Sequence, residues 1–209
     1  ADAADVADVV TVLAAKTIAK AADVAVTIDP AGVPADDVTA LEANSIAKLT
    51  TGVVTATVAG ASAFYLNSTL KDAKATDALT LKVTGTNATA ADLNALDGKT
   101  SKAIVIDAAT TSITGNIADV TKVLVTDAAN FANLGDETVT ISGTVSAGQA
   151  NAIANATTGA VTATITAGIA SDLNTALANA TAADALKLTV NGETANATVL
   201  NALDGKTSV

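Results

Sequence analysis

The chain has 209 residues, half of them hydrophobic and 1% aromatic, and its formal net charge is −10. It contains no Cys, His, Met or Trp, which excludes disulfides, thiol catalysis, and the commonest general base and transition-metal ligand. Because a strongly acidic chain repels nucleic acid and anionic membranes, we expect no nucleic-acid partner. No apolar run reaches the roughly eighteen residues of a membrane-spanning helix, so we also expect no transmembrane segment.

The first element in chain order is a predicted amphipathic helix. Across Asp2–Lys20, the apolar residues Val6, Val10 and Leu13 recur at helical spacing and give the segment one hydrophobic face. We assign residues 1–23 to an N-terminal amphipathic helix or assembly segment. Shortly after it, about six extra residues near Pro30–Pro34 predict a loop that is inserted on one face.

Strand-like stretches follow, starting about 15 to 30 residues apart. The clearest alternation puts Leu79, Leu81 and Val83 on one side of a strand and polar residues on the other, as in a half-buried strand. The predicted strands are Val24–Ile28, Val54–Val58, Leu79–Thr84, Ala103–Asp107, Lys122–Thr126, Thr138–Ile141, Val161–Thr166 and Leu186–Asn191.

Helical patterns separate these strands. Asp36–Leu49 has one apolar face, and Thr89 is a predicted N-cap. Ser146 and Gln149 have the spacing of a capping box, and Asn196 is a further predicted N-cap. Several glycines follow the helices where a left-handed residue is expected: Gly52, Gly98, Gly135, Gly159 and Gly205.

The chain contains an internal repeat with a spacing of 107 residues. Gly52–Ser101 aligns without a gap onto Gly159–Ser208, and roughly 28 of the 50 positions are identical. Both copies end in LNALDGKTS, at Leu93–Ser101 and Leu200–Ser208. A fixed-period repeat is typical of solenoids and arrays. It therefore favours a function in surface contacts or assembly over a function at a single active site.

Short strands that alternate with short helices predict parallel strands joined by helical crossovers. We therefore predict an α/β fold, a right-handed repeat solenoid of short parallel β-strands alternating with short helices or loops. A doubly wound α/β domain and a β-solenoid with few helices are the alternatives. The solenoid would span residues 24–209 and contain two related halves, about 24–101 and 137–209.

The stretch Ala132–Thr166, together with the two LNALDGKTS segments, resembles repeats in very large exported proteins of Gram-negative bacteria. These include S-layer-like, adhesin-like and RTX-associated surface proteins built of many β-strand repeats. The resemblance implies a secreted structural or adhesive protein at the bacterial cell surface. The calcium-binding nonapeptide of RTX proteins is absent here, so the resemblance does not extend to their calcium sites.

The repeated DGKT turns are the first candidate site. Asp97 and Asp204 precede the glycines of these turns, and carboxylates near glycine turns can ligate calcium, which takes six to eight oxygens. A single Asp per turn cannot complete such a shell unless neighbouring coils add ligands. The alternative, which we favour, is a helix end that leads into the next strand, so no cofactor is expected, and calcium is retained only as a candidate ligand.

Threonines recur on the outward face of the predicted strands. Stacked coils would align them into a flat, regular ladder, and one interpretation of such a ladder is ice binding. The alternative is that Thr is simply a good exposed β-residue. The outward threonines are Thr27, Thr55, Thr57, Thr80, Thr84, Thr138, Thr140, Thr162, Thr164 and Thr189.

No catalytic constellation is recognisable. The acid pairs Asp36–Asp37 and Asp136–Glu137 have no His or Cys beside them, and the chain has no Arg. Solvated turns and helix N-termini account for such pairs. We therefore predict that the protein is not an enzyme.

The leading hypothesis is a structural subunit or segment of an extracellular bacterial filament, sheath or surface layer. It would assemble head to tail with copies of itself, because solenoid ends carry open strand edges. The alternative is a stalk or binding module of a large adhesin, with a glycan or cell-surface ligand. The predicted assembly residues lie at the two ends of the chain: Val6, Val10, Leu13, Leu200, Leu203 and Val209.

Overall fold

A computed structural model describes residues 3–16, 21–28, 37–192 and 194–209. The helices in these ranges are α1 (Ala3–Ala14), α2 (Ala40–Ala47), α3 (Ala63–Thr69), α4 (Ala90–Asp97), α5 (Ile117–Thr121), α6 (Ala147–Ala154), α7 (Ala170–Ala176) and α8 (Ala197–Asp204). The strands are β1 (Val26–Thr27), β2 (Val54–Thr57), β3 (Ala78–Thr80), β4 (Lys82–Val83), β5 (Asn87–Thr89), β6 (Ile104–Ile106), β7 (Ser112–Asn116), β8 (Phe131–Ala132), β9 (Thr138–Val145), β10 (Val161–Ile165) and β11 (Ala185–Lys187).

These strands form three sheets in which neighbouring strands pair in parallel. The strand orders are β1-β2-β3, β4-β6-β8 and β11-β10-β9-β7-β5. Parallel neighbours cannot be joined by a hairpin and need a longer crossover, and short helices lie in many of these connections. The predicted α/β class, with parallel strands and short helices, is confirmed.

The chain divides into two compact units. The first comprises residues 1–85, 92–107 and 129–132, and the second comprises residues 86–91, 108–128 and 133–209. The sheets β1-β2-β3 and β4-β6-β8 belong to the first unit, and the five-stranded sheet belongs to the second. The predicted boundary at residue 23 and the two predicted halves stay predictions.

Small aliphatic side chains fill the interior of both units. Strand β10 shows how: Val161, Ala163 and Ile165 are buried while the residues between them are exposed, which is the period-2 pattern of a sheet with one covered face. Of the three aromatic residues, Phe131 is buried, whereas Phe64 and Tyr65 lie on the surface of α3. Apart from Phe131, the buried hydrophobic residues of the described chain are Leu, Ile, Val and Ala.

Polar caps set the start of several helices. Ser146 and Gln149 form the predicted capping box of α6, and the side chain of Asn196 accepts a hydrogen bond from the Thr198 amide at the start of α8, as predicted. Thr39 and Glu42 form a second capping box, on α2, which was not predicted although the pair has the required spacing. Helix α4 begins at Ala90, directly after the predicted cap Thr89.

The predicted strand Lys122–Thr126 is wrong, because these residues form a π-helical turn that continues α5. The β-branched run suggested a strand, but Val123 and Leu124 are adjacent and both buried, which a strand with alternating faces does not allow. The Asn116 side chain accepts from the Asp119 amide and starts the helix six residues upstream of Lys122. The local cap therefore overrides the strand propensity.

The glycine prediction is mostly wrong. Of the five glycines, Gly135 has a left-handed φ of 126°, but Gly52, Gly98, Gly159 and Gly205 do not. At Gly52 and Gly159 the reason for glycine is a close approach, because a Cβ there would collide with the backbone of Val24 or Glu137. These two glycines allow one stretch of chain to lie directly against the preceding one.

Two predictions fall outside the described residues. The predicted N-terminal helix extends to Lys20, whereas α1 covers Ala3–Ala14 and the structure does not describe residues 17–20. The predicted Pro30–Pro34 loop lies within residues 29–36, which are also not described.

Candidate functional site

The end of the first LNALDGKTS motif is bound to a preceding strand. The Thr100 hydroxyl donates to the carbonyl of Leu79 at 2.6 Å, and the Ser101 amide and hydroxyl donate to the carbonyl of Asp77 at 2.7 and 2.9 Å. The Thr100 hydroxyl also accepts from the Lys102 amide. The turn residues therefore hold two successive stretches of chain together.

The second motif makes the same bonds 107 positions later. The Thr207 hydroxyl donates to the carbonyl of Leu186 at 2.8 Å, and the Ser208 amide and hydroxyl donate to the carbonyl of Asp184 at 2.7 and 2.9 Å. The Thr207 hydroxyl accepts from the Val209 amide. The near-identity of the two motifs is therefore explained by a shared structural task.

A buried aspartate accompanies each motif. Asp77 is fully buried, and its carboxylate accepts hydrogen bonds from the amides of Val54 at 2.9 Å and Lys74 at 2.8 Å. The carboxylate of Asp184, 4% exposed, accepts from the amides of Val161 at 2.7 Å and Thr181 at 2.8 Å. Buried charge is tolerated only where it is well hydrogen-bonded. Neither aspartate was predicted as a site residue, although the two occupy equivalent positions of the repeat.

The lysine of each DGKT turn caps a preceding helix. The Lys99 ammonium donates to the carbonyl of Leu70 at 2.8 Å, and the Lys206 ammonium donates to that of Leu177 at the same distance. Burial lowers the pKa of Lys99 below its ordinary value, and the charge of Asp72 opposes this shift. The lysines thus satisfy carbonyls at helix ends rather than facing a phosphate or a metal.

The calcium candidates lie at the C-terminal ends of helices. Asp97 is the last residue of α4 and lines a polar cavity of about 390 Å³ with Thr100, Ser101 and Asn130. Asp204 is the last residue of α8 and is exposed. Within the part of the chain that the structure describes, no group of three acidic side chains surrounds either one. Calcium binding at these residues stays a prediction.

The N-terminal assembly residues differ in exposure. Val6 and Leu13 are buried, and Val10 is partly buried. An apolar groove of about 410 Å³ lies between α1 and β1, lined by Leu13 and Val26 among others. Of the three predicted residues, Leu13 lines this groove, and the participation of all three in an interface stays a prediction.

The C-terminal assembly residues also differ. Leu203 is buried, whereas Leu200 is 41% exposed and Val209 is 75% exposed. Their participation in an interface stays a prediction.

Two identical residues of the repeat differ sharply in exposure between the copies. Leu93 is 0% exposed, and its equivalent Leu200 is 41% exposed. Val83 is also 0% exposed, but its equivalent Val190 is 39% exposed. Val83 pairs with Ile106 of β6, whereas the described residues contain no strand on the corresponding side of Val190, and β11 is an edge strand. In the second copy these two apolar positions are thus exposed in the described residues, whereas the first copy buries them.

The predicted threonine ladder exists in part as rows across the sheets. In the first unit, Thr27 lies beside Thr55, and Thr57 lies beside Thr80. The longest row crosses the five-stranded sheet of the second unit through its paired strands: Thr89, Thr114, Thr140, Thr162 and Ala185.

Asparagine occupies the fifth position of many helices, a pattern that was not predicted. The Asn44 side chain accepts from the Asp72 amide at 2.7 Å, and the Asn151 side chain accepts from the Asn179 amide at 2.6 Å. Both bonds join residues 28 positions apart. Alignment of the helix sequences at their first residues reveals the repeated asparagine. It occurs at Asn44, Asn67, Asn94, Asn151, Asn174 and Asn201.

Of the helices that the structure describes, none combines the length and apolar character that a membrane crossing requires. Comparison of the chain with protein-family models, with curated proteins and with solved structures gave no match.

Proposed function

We propose that this chain is a structural segment of an extracellular bacterial filament, sheath or surface layer, and that it has no catalytic role. On this proposal each unit is a run of right-handed solenoid coils, and copies of the chain associate head to tail through their coil ends. No cofactor is required, and calcium is not needed for the fold.

The solenoid part of the proposal is supported by the parallel pairing and by the threonine bonds. A parallel strand-crossover-strand connection is right-handed in nearly all proteins. Four threonines donate to a carbonyl 20 to 26 residues earlier in the chain and accept from the amide two residues later: Thr50, Thr100, Thr157 and Thr207. Repetition of one bonding pattern between successive stretches of chain is the organisation of a one-dimensional stack.

The assembly part rests on one observation, the exposure of Leu200 and Val190. Their equivalents Leu93 and Val83 are completely covered, so the same sequence motif is compatible with a covered state. At 25 cal/mol per Å², covering a leucine side chain contributes about 1.5 to 3 kcal/mol. An open parallel edge beside this surface offers backbone hydrogen bonds to an added strand.

The first sheet also has an open edge, at strand β1. Among the described residues β1 is an edge strand, because its only neighbour in the sheet is β2, to whose Thr55 carbonyl the Ile28 amide donates. The apolar groove against α1 adjoins this edge. Two different surfaces that fit each other form a heterologous contact, and such contacts produce filaments when the rotation does not close into a ring.

Negative-stain electron microscopy of the purified chain tests the proposal directly. We expect long, uniform fibres, equally with calcium and with a chelator, because the ends described here associate through apolar surface and backbone bonds. Dispersed particles under both conditions would contradict the assembly proposal. Loss of the fibres in chelator would restore Asp97 and Asp204 as calcium ligands.

A pair of matched variants locates the contact. Leu200→Glu places a charge on the uncovered end, and we expect it to abolish the fibres while leaving the circular dichroism spectrum unchanged. Leu41→Glu is the control, since Leu41 is 63% exposed on α2, and we expect normal fibres. Equal fibre formation by both variants would exclude Leu200 from the contact.

A further inference from the structure

The outward face of the five-stranded sheet carries an ordered array of hydroxyl and amide side chains. The alternation along each strand puts Ile113, Val139 and Ala163 into the core and leaves their neighbours pointing outward. In addition to the row through Thr140, a second row runs alongside it across three strands: Asn87, Ser112 and Thr138. A third row follows the bulge in β9: Thr144, Thr164 and Lys187.

This face is uncharged over nearly all of its area, although the chain has a net charge of −10. Among the residues of the five strands, Lys187 at one edge carries the single charge. Acidic side chains are common elsewhere on this protein, and the five strands contain none of them. A ligand that matches the face is therefore neutral and polar rather than ionic.

The array is also rigid and regularly spaced. Neighbouring strands lie about 4.7 to 4.9 Å apart, and outward residues on one strand repeat at about 6.6 Å. Threonine is restricted at χ1 because it is β-branched, so each hydroxyl and methyl group has a defined position. The hydroxyls of Thr140 and Thr162 have no protein partner in the part of the chain described here, and both side chains are exposed.

We infer that this face binds the surface of ice. A neutral, two-dimensional grid of hydroxyl and methyl groups can hold an ordered layer of water that merges with a water lattice of similar repeat. A soluble glycan is a poorer match, because these five strands contain no aromatic side chain on which a sugar ring could stack. This inference is independent of the assembly proposal, since the face lies along the sheet and not at the chain ends.

The test is partitioning of the intact chain into slowly growing ice, together with the rate of ice recrystallisation. We expect the wild-type protein to be enriched in the ice fraction and to slow recrystallisation. Thr140→Lys and Thr162→Lys break the longest row at its centre, and each is expected to abolish the enrichment. Thr140→Val keeps the side-chain shape and is expected to retain part of it.

Ala152→Lys is the matched control. It adds the same charge at an exposed position of α6, away from the array, so we expect wild-type partitioning. Three results would overturn the inference: exclusion of the wild-type protein from ice, unchanged partitioning of Thr140→Lys, or equal loss in Ala152→Lys. Adsorption to an insoluble glucan but not to ice would assign the face to a glycan instead.

Discussion

Replacement of Asp77 by Ala is expected to lower the free energy of unfolding of the first unit by about 3 to 5 kcal/mol. The reason is local: the carboxylate is fully buried and accepts from the amides of Val54 and Lys74, and each buried amide left unpaired costs about 1 to 3 kcal/mol. Asp77→Asn is also expected to destabilise, because one carboxylate oxygen becomes an NH₂ donor that faces an amide. Urea unfolding measures both variants.

Asp184→Ala is the equivalent change in the second unit and is expected to have an effect of similar size there. Asp204→Ala is the control, since Asp204 is exposed at the end of α8, and its effect should stay within about 0.5 kcal/mol. If Asp77→Ala were as stable as wild type, the buried carboxylate would not be what joins these stretches of chain.

Replacement of Gly159 by Ala is expected to be the most damaging single-methyl change, by about 3 kcal/mol or more. The added Cβ would overlap the carbonyl group of Glu137, and a backbone atom cannot rotate away as a side chain can. Gly52→Ala repeats the situation against the backbone of Val24. Thermal unfolding should show a large fall in Tm for both variants.

Gly148→Ala is the matched control. This glycine lies in α6, and the place that an alanine methyl group would occupy there is open space. Alanine is also the better helix former by about 0.5 to 1 kcal/mol. We therefore expect Gly148→Ala to raise the Tm. A similar loss of stability at Gly148 and Gly159 would show that close packing is not the cause.

Much of the fold could be predicted because periodicity and capping agree in this chain. The alternation in Val161–Thr166 and the capping box of Ser146 are read from the side chains alone, and both are confirmed. The repeat also indicated which segments are equivalent. These signals are local, and each depends on fewer than about ten neighbouring residues.

Strand β7 and helix α7 were not predicted, because their residue types do not favour the conformation that they adopt. Strand β7 contains Gly115 and Asn116, residues typical of turns, and it is a strand because it pairs with β5 and β9. Helix α7 begins after Ile169 without a side-chain cap. In both cases tertiary contact decides the conformation, and a single sequence does not reveal it.

The candidate site was predicted only in part for a related reason. The DGKT turns were correctly singled out as repeated, but their bonds to Leu79 and Leu186 join residues far apart in sequence. The burial of Asp77 also depends on those distant stretches. The spacing of residues could therefore identify the DGKT motif, but it could not identify the carbonyl groups to which the motif is hydrogen-bonded.

The hydrogen bonds that these threonine and lysine side chains donate join residues 20 to 29 positions apart. A duplicated segment longer than that span encodes both partners of most of these hydrogen bonds. The new copy can therefore form the same bonds within itself. The 107-residue spacing of the two LNALDGKTS segments satisfies this condition. Lengthening by duplication is consequently a simple evolutionary step for such a chain.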